Sequence, residues 1–516
     1  MTGDYRPSAD GFLEDAAHYP GGHAPGVVFP HSANEVADAL ASYDAVLPIG
    51  AQSSLTGGAT PMGETVLATT KMARIVERDE RRVRAQAGVT IQALQEHLAQ
   101  GGAWFPPAPT FTGASVGGIV ATNAAGAATF KYGTTRDWVD ALVVVLADGT
   151  ILDIARGQHV ARNGRLDVPT RSGHVTIPIP SYAMPHVPKR SAGYHAVPDI
   201  DLVDLFIGSE GTLGVIVEAT LRILSPPPAS ALALVPCPSE AEGLDLVDAI
   251  RRAARETWRA LDPRGIDAAA IEHLDRRSIE IVREDGEDVR HNVSLPAETA
   301  IALLVQLELP HDLTRDRAFD QIAGALEEGA PDTTLGRFCR LLSDAGAFEQ
   351  AEIALPGDAR RMADLIAVRE AVPEGVNRRV GAAKRDVDAR IEKTAADMIV
   401  PAARFADMLR VYRDGFSARG LDYAIWGHIS DGNVHPNVIP RSYDDVVKGK
   451  DAILEFGREV ARLGGSPLAE HGVGRNPVKQ ALLRQLYGDA GIEQMRAVKQ
   501  ALDPQWKLAP GVIFPR

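Results

Sequence analysis

Two histidines in the second half of the chain have a spacing that suits metal ligands on a β-hairpin. His428 and His435 flank the pair Asp431-Gly432, and such a pair between β-like runs is typical of a two-residue turn. That turn would place His428 directly opposite His435, and directly opposed residues project from one face with Cβ atoms roughly 4.5–5.5 Å apart. Two imidazoles at that distance can bind one metal ion. The alternative interpretation is that both histidines only form hydrogen bonds within the sheet.

Further polar groups could complete this site. In the same register Ile429 would face Val434 and point into a core, whereas Asn437, two residues beyond His435, would share its face. Glu470 supplies a carboxylate from a later segment. Two histidines and one glutamate leave open coordination positions on Zn, Mn or Fe, which substrate oxygens can occupy.

Three glycine-rich segments could hold a flat or phosphate-bearing ligand. They are Pro48–Gly58, Gly113–Asn123 and Gly208–Ile216. Glycine lets the backbone approach a ligand closely, and successive exposed amides can form an anion-binding nest. The first segment matches neither a Walker A loop nor the GxGxxG fingerprint, so a glycine-rich turn without a ligand is its alternative interpretation.

The composition excludes several classes of protein. The chain has 516 residues, a net charge of −14 and 45% apolar residues. An acidic surface repels phosphate backbones and anionic membrane surfaces, so no nucleic-acid partner is expected. Cys237 and Cys339 form no CxxC pair, which argues against a cysteine-ligated iron–sulfur cluster and against a disulfide framework.

The hydrophobic pattern predicts two kinds of structural unit. Residues 26–49 are expected to form a strand, a helix and a second strand, and Asp148-Gly149 predicts a hairpin. Prolines 226–228 cannot continue a sheet ladder and mark a domain boundary. Beyond them, apolar runs at 231–235 and 299–309 alternate with helical patterns at 239–254 and 314–328. This predicts an α+β unit with an antiparallel sheet.

The expected domains are 1–228, 229–468 and a C-terminal segment, 469–516, that returns to the first domain. The N-terminal residues lack a basic region followed by an apolar core, which predicts no signal peptide. No run approaches the roughly 20 apolar residues that span a bilayer. A cytoplasmic protein is expected, with peripheral association at the inner membrane face left open.

The motifs together resemble a family. The segments PIGAQSSLTGG, SVGGIVATNAAG with KYG behind it, and LFIGSEGTLGVI are similar to the FAD-binding domain of PCMH-type oxidoreductases of the vanillyl-alcohol-oxidase superfamily. GHISDGNVH and EHGVG resemble motifs shared by D-lactate dehydrogenases, the flavin-binding chain of glycolate oxidase and D-2-hydroxyglutarate dehydrogenases. The resemblance implies an α+β fold: a PCMH-type two-subdomain FAD-binding domain plus an α+β cap domain with an antiparallel sheet.

The resemblance also implies a cofactor, FAD, bound non-covalently because no histidine or cysteine aligns with the tethering position of covalent members. The expected FAD contacts are Pro48, Gly50, Ala51, Gln52, Ser53, Ser54, Leu55, Thr56, Gly57, Pro107, Ser115, Gly117, Gly118, Asn123, Gly126, Tyr132, Gly133, Glu210, Gly214 and Ile216.

The resemblance assigns roles in the substrate site. His428, His435 and Glu470 fall on the metal ligands, with zinc expected and Mn or Fe as alternatives. The expected catalytic residues are His471 for proton abstraction, Arg369 for the substrate carboxylate, and Lys393 and Asn437 for further substrate contacts. Arg369 and Lys393 have a simpler alternative as solvated charges.

The expected reaction is oxidation of a D-2-hydroxy acid, D-lactate or a similar short acid, with hydride transfer to the flavin. Pro373 stands where the 2-hydroxyglutarate enzymes carry a threonine, and residues 157–188 look like an insertion. The alternatives are a D-2-hydroxyglutarate dehydrogenase, a metal-free alcohol or lactone oxidase of the same superfamily, and a non-catalytic flavin-bearing subunit. The expected partners are the hydroxy acid and an external acceptor: a quinone, a cytochrome, an electron-transfer flavoprotein or oxygen. A homodimer is left open.

Overall fold

A computed structural model describes residues 3–107, 109–171 and 173–515, and its strands and helices are distributed along the whole of these ranges. The strands are β1 Asp4–Arg6, β2 Val27–Phe29, β3 Val46–Ile49, β4 Thr65–Ala68, β5 Ile75–Arg78, β6 Arg82–Gln86, β7 Val139–Val145, β8 Ile151–Ala155, β9 Arg165–Thr170, β10 Gly173–Pro178, β11 Val215–Arg222, β12 Ala229–Cys237, β13 Ala268–Asp275, β14 Ile301–Leu309, β15 Glu352–Ala354, β16 Thr394–Ala395, β17 Met398–Ile399, β18 Tyr423–His428 and β19 Asn433–Val438. The helices are α1 Ala33–Ser42, α2 Ile91–Ala99, α3 Val116–Thr122, α4 Thr129–Tyr132, α5 Leu202–Phe206, α6 Glu240–Ala260, α7 Arg276–Glu284, α8 Glu287–Arg290, α9 Arg315–Ala323, α10 Thr334–Asp344, α11 Ala359–Asp386, α12 Phe405–Ala418, α13 Tyr443–Arg462 and α14 Pro477–Leu502.

These elements group into two compact units. The first unit comprises the chain up to Gly126, then Gly133–Ser225, and then the chain from Val460 onward. The second unit comprises Pro226–Glu459 together with the short segment Ala127–Tyr132. None of the helices described is long and apolar enough to cross a membrane.

The first unit contains two main sheets. One has the order β1-β2-β4-β3, in which β2 and β3 both run parallel to β4. The other is antiparallel with the order β5-β6-β11-β7-β8, and the predicted Asp148-Gly149 turn joins β7 to β8. Apolar side chains of α1, β7 and β11 share one core cluster. A separate two-stranded ribbon, β9 with β10, occupies the region that looked like an insertion.

Helix starts in the first unit follow ordinary capping chemistry. The Ser32 hydroxyl accepts from the Glu35 amide and begins α1, as the sequence predicted. Glu35 Oε2 accepts from the His31 amide rather than from that of Ser32, so the reciprocal half of the capping box is displaced by one residue. The Ser115 hydroxyl accepts from the Gly118 amide and begins α3 in the same way.

The second unit is built on one antiparallel sheet. Its strand order is β15-β12-β14-β13-β18-β19-β16, with β17 also pairing with β19. Leu274 of β13 and Trp426 of β18 lie directly opposite each other and pack in one cluster with apolar residues of α7 and α11. These two helices therefore cover the face of the sheet on which Leu274 and Trp426 lie. The α+β fold class expected from the sequence is confirmed.

The hairpin register predicted from Asp431-Gly432 is wrong by two residues. His428 lies opposite Asn433, and His435 lies opposite Trp426. A two-residue type I′ turn needs positive φ at both central residues, but only Gly432 has it, with φ +90°. The chain instead makes a four-residue loop between β18 and β19, in which Asp431 Oδ1 accepts from the Asn433 amide at 3.2 Å.

Candidate active site

The two hairpin histidines still share one face despite the changed register. Trp426 and His435 are directly opposed, and His428 lies two residues along the strand from Trp426, so all three project from the same side. The imidazole ring centroids of His428 and His435 are 5.6 Å apart and the rings are perpendicular. Their side chains are 4% and 10% exposed. Two nearly buried imidazoles are thus brought together.

Behind His428 lies a buried carboxylate that the sequence did not single out. Glu272 of β13 is directly opposite His428, and its Oε1 forms a short hydrogen bond with His428 Nδ1. Its other oxygen, Oε2, accepts from Arg369 Nε at 2.8 Å. Burial opposes ionisation of Glu272, but the charges of Arg369 and His428 outweigh it and lower the pKa of this carboxyl. An ionised Glu272 therefore holds His428 with Nε2 as its outward nitrogen.

A second carboxylate stands near the other histidine. Asp397, between β16 and β17, is 2% exposed, and its Oδ1 is 3.6 Å from His435 Nδ1. Asn433 Nδ2 donates to the same Asp397 oxygen at 3.1 Å. Each imidazole therefore has a carboxylate on its Nδ1 side. The hydrogen bond between Glu272 and His428 is the outer-shell arrangement that orients histidine ligands of metals in proteins, whereas Asp397 stands slightly beyond hydrogen-bond distance of His435.

The other predicted substrate residues of this unit differ in their surroundings. Asn437 is 1% exposed and donates from Nδ2 to the His435 carbonyl at 2.9 Å. Its Oδ1 has no hydrogen-bond partner within the described part of the chain, which leaves a buried acceptor for a ligand. Arg369 is buried and also pairs through Nη1 with Glu370 at 2.8 Å. Lys393 is exposed at the residue before β16.

Glu470 and His471 lie in the first unit, on a loop that Glu210 fixes. The amides of Val473 and Gly474 each donate to a Glu210 oxygen at 2.8 Å. Burial raises the pKa of Glu210 to about 6, and these amides partly offset it. At Gly474, φ is +58° and an added Cβ would lie 2.2 Å from the Thr56 hydroxyl oxygen. The EHGVG segment therefore needs glycine for both conformation and space.

The carboxylate of Glu470 has partners of its own in this unit. Its Oε2 accepts from Lys189 Nζ at 2.9 Å, and Lys189 is fully buried. Its Oε1 is 3.3 Å from His471 Nε2, and the His471 side chain is 27% exposed. The Ser191 amide donates to the Ala469 carbonyl at 2.9 Å, which ties the loop to the same stretch of chain. Lys189 thus belongs to the site, although it was not among the site residues predicted from the sequence.

The first unit contains a cavity of about 310 Å³ to which all three glycine-rich segments contribute. Glu470 and His471 also line it. The predicted cofactor residues that line it are Pro48, Gly50, Ala51, Gln52, Ser53, Ser54, Leu55, Ser115, Gly117, Gly118, Glu210, Gly214 and Ile216. Lining residues that the sequence did not single out include Phe111, Thr69 and Ala125.

Seven predicted cofactor residues lie outside this lining: Thr56, Gly57, Pro107, Asn123, Gly126, Tyr132 and Gly133. Gly57 packs on the ring of Tyr19, which an added Cβ would meet at 2.6 Å. Asn123 adopts the left-handed conformation that ends α3. Tyr132 belongs to the second unit, where its hydroxyl donates to Glu308. At these three positions the residue type serves packing, a helix end or a contact in the other unit.

Two glycines in the wall of the cavity pack closely against neighbouring protein atoms and leave no room for a side chain. A Cβ added at Gly50 would lie 2.2 Å from the Ser115 hydroxyl oxygen, and one at Gly117 would lie 2.7 Å from Ala87 Cβ. The cavity combines small residues, exposed hydroxyls and the carboxylate of Glu210. Such a surface fits a flat ring system joined to a hydrogen-bonding chain.

Comparison with known proteins gives the same assignment over most of the chain. A family model described as "FAD linked oxidases, C-terminal domain" matches residues 227–513, and one described as "FAD binding domain" matches residues 24–155. Among solved structures, an alkyldihydroxyacetonephosphate synthase has a TM-score of 0.57 at 16% identity, covering 94% of this chain and 77% of that one. This second likeness concerns the fold alone.

Full-length relatives are also similar. A D-lactate dehydrogenase of Archaeoglobus fulgidus is 30% identical, over 94% of this chain and 90% of the relative. A D-2-hydroxyglutarate dehydrogenase of Xanthomonas citri pv. viticola is 29% identical, over 95% and 89%. The glycolate oxidase subunit GlcD of Bacillus subtilis is 27% identical, over 95% and 88%. The predicted family and the predicted enzyme class, an oxidoreductase acting on CH–OH groups, are confirmed. The chain belongs to the FAD-linked oxidases with a PCMH-type FAD-binding domain.

Proposed function

We propose that this flavoprotein oxidises a D-2-hydroxy acid to the 2-oxo acid with the help of a divalent metal, zinc being the first candidate. The pair His428 and His435 is the observation that carries this proposal. Both imidazoles lie on one face of the hairpin, and Glu272 and Asp397 stand on their Nδ1 sides. His428, held at Nδ1 by Glu272, is suited to metal binding through Nε2, and the ring of His435 lies beside it.

FAD and a metal would divide the chemistry of the reaction. Bound FAD would accept the hydride from the substrate carbon, and a bound metal would acidify the substrate hydroxyl. Glu470 is the proposed third metal ligand. His471, in the same loop as Glu470, is the proposed acceptor of the hydroxyl proton, because it is partly exposed and lines the flavin cavity.

The substrate carboxylate would bind to Arg369. A guanidinium suits this task because its planar fork can contact both carboxylate oxygens. The contacts of Arg369 with Glu272 and Glu370 do not use all of its N–H groups within the described structure. Asn437 would accept a hydrogen bond through its unpartnered Oδ1, and Lys393 would add a second positive charge.

A short acid such as D-lactate is the first candidate substrate. Pro373 lies inside α11, one helical turn after Arg369, and has neither a hydroxyl nor an amide hydrogen to offer a second carboxylate. D-2-hydroxyglutarate is the second candidate, because relatives with that name are as similar as those named for D-lactate.

Removal and return of metal would test the proposal. The flavin-loaded protein is treated with a chelator, dialysed, and supplied with Zn²⁺, Mn²⁺ or Fe²⁺ under anaerobic conditions. D-lactate should bleach the flavin only in metal-loaded samples. Equal bleaching without metal would contradict the role proposed for the metal and favour metal-free oxidation of the alcohol group. Bound metal without reduction by any hydroxy acid would favour a non-catalytic flavin-bearing subunit.

His428→Ala and His273→Ala form a matched pair for this experiment. His273 is as buried as His428 but projects from the opposite face of β13 relative to Glu272. His428→Ala should lose stoichiometric metal, whereas His273→Ala should keep it, even if both variants are less stable. Loss of metal from both would show that general loosening of the sheet, rather than ligand removal, releases the ion.

Two further parts of the proposal concern the flavin and its oxidant. The flavin is proposed to be non-covalent, so acid precipitation should leave it in the supernatant. The electrons would leave to an external acceptor, a quinone, a cytochrome, an electron-transfer flavoprotein or oxygen. Reoxidation rates of the reduced protein with a representative of each class would identify the acceptor.

A further inference from the structure

We propose that Glu272 is a positioning residue that couples the metal ligand His428 to the substrate-binding Arg369. One carboxylate would thereby fix the distance between the metal-bound hydroxyl and the bound carboxylate of the substrate. This inference rests on the proposed function and deepens it, because it names the residue that sets the position of a 2-hydroxy acid between the metal and Arg369.

The backbone places Glu272 for this task. The antiparallel pairing of β13 with β18 puts Glu272 directly opposite His428, within the reach of directly opposed side chains. Its Oε1 contacts His428 Nδ1. Its Oε2 contacts Arg369 Nε at 2.8 Å and Nη2 at 2.7 Å. A single planar group thus touches both partners.

Burial makes this connection stiff. Glu272 is 7% exposed and Arg369 is 9% exposed, so little water competes for their hydrogen bonds. Arg369 emerges from α11, whose Leu365 and Val368 pack in the same core cluster as Leu274 and Trp426. Helix α11 is therefore packed against the face of the sheet from which Glu272 projects. Movement of Arg369 would pull on the same group that orients His428.

Glu370 provides a natural control. It pairs with Arg369 Nη1 at 2.8 Å, as Glu272 pairs with Nε and Nη2, but no contact joins it to His428 in the described structure. Removing the Glu370 charge disturbs the arginine alone. Removing the Glu272 charge disturbs the arginine and the histidine together. The two glutamates separate an effect on the arginine from coupling to the metal ligand.

The test measures two affinities without turnover. Zinc affinity is determined by chelator competition on flavin-loaded protein, and oxalate affinity is determined from the flavin difference spectrum of the zinc-loaded protein. Glu272→Gln should weaken zinc binding about 10- to 100-fold, the usual effect of losing an outer-shell partner, and should also weaken oxalate binding. Glu370→Gln should change oxalate binding, because it alters the pairing of Arg369, and should leave zinc binding within about twofold of the wild type.

Glu272→Asp is a second variant that keeps the test decisive if Glu272→Gln does not fold. It keeps the charge but is one methylene shorter, so it cannot span both partners and should also weaken both affinities. Unchanged zinc affinity in the folded Glu272 variants would overturn the inference while the proposed function stands. A wild-type protein that binds no divalent metal would overturn both together.

Discussion

Lys189 Nζ lies 2.9 Å from Glu470 Oε2, and neither side chain is more than 8% exposed. The lysine comes from the stretch before Tyr194 and the glutamate from the EHGVG segment, far apart in sequence but both in the first unit. This ion pair is positioned at the loop that carries His471 and lines the flavin cavity. It therefore fixes a proposed metal ligand before any metal is bound.

Lys189→Met should destabilise the metal-free protein strongly. Removing one partner of a buried ion pair leaves an uncompensated charge, which costs about 3–5 kcal/mol. The double variant Lys189→Met/Glu470→Gln removes both charges and should recover part of that loss. Urea unfolding of the chelator-treated proteins, followed by circular dichroism, checks both. A single variant as stable as the wild type would show that the pair contributes nothing.

Gly50→Ala should weaken FAD binding. The added Cβ would lie 2.2 Å from the Ser115 hydroxyl oxygen, which begins α3 by accepting from the Gly118 amide. Displacing that hydroxyl removes a helix cap that contributes about 1 kcal/mol. If only the FAD-bound state loses this free energy, the affinity for FAD falls roughly fivefold. FAD affinity can be measured by titrating apoprotein and following flavin fluorescence.

Gly381→Ala is the control for that experiment. Gly381 lies in α11 of the second unit, and an added Cβ would meet only Arg385 Nη1 at 3.6 Å. Alanine is the better helix former, so this variant should keep the FAD affinity of the wild type. If Gly50→Ala bound FAD as tightly as Gly381→Ala does, the close backbone approach at Gly50 would not serve the flavin.

Stability should fall in mild acid partly because of His195. Burial lowers the pKa of His195 to about 3, and the charges of Arg136, Arg190 and Arg156 add to this effect more than Asp204 opposes it. An unfolded histidine has a pKa of about 6.5. Between about pH 6.5 and 3 the unfolded state therefore binds a proton at His195 that the folded state does not bind. The free energy of unfolding declines as the pH falls through this window.

His195→Gln should make that decline shallower. Urea midpoints measured at several pH values between about 7 and 4.5 give the slope of stability against pH, which should be smaller for this variant than for the wild type. The variant His174→Gln, at an exposed position of β10, should keep the slope of the wild type. Equal slopes for all three proteins would mean that His195 is protonated in the folded state too.

Local rules predicted much of the fold but failed at the hairpin. Two β-like runs and the Asp148-Gly149 turn between them predicted β7 and β8, because the signal and the structure involve neighbouring residues. Asp431-Gly432 looked like the same turn, yet β17 pairs with β19 beside it and Gly432 packs against the Val400 carbonyl. Tertiary contacts outweighed the turn preference there. The shared face of His428 and His435 survived because the shift was an even number of residues.

Residues that position others were the hardest to predict. Glu272 is a carboxylate within the apolar run of β13, and this was the one signal that could have singled it out. Lys189 and Asp397 were not among the predicted site residues, because each lies beside a group that is distant in sequence. The segment Ala127–Tyr132 lies among the flavin motifs in the sequence but belongs to the second unit. Such relationships depend on the folded chain rather than on local pattern.

The most direct test of the proposed reaction is an anaerobic absorbance titration of the flavin-loaded, zinc-loaded protein with D- and L-lactate, D-2-hydroxyglutarate and glycolate. We expect a D-acid to bleach the flavin bands while L-lactate does not. We also expect His435→Ala to keep its flavin but to resist reduction. Unbleached flavin with every acid, or full bleaching of His435→Ala, would contradict the proposed metal-assisted oxidation of a D-2-hydroxy acid.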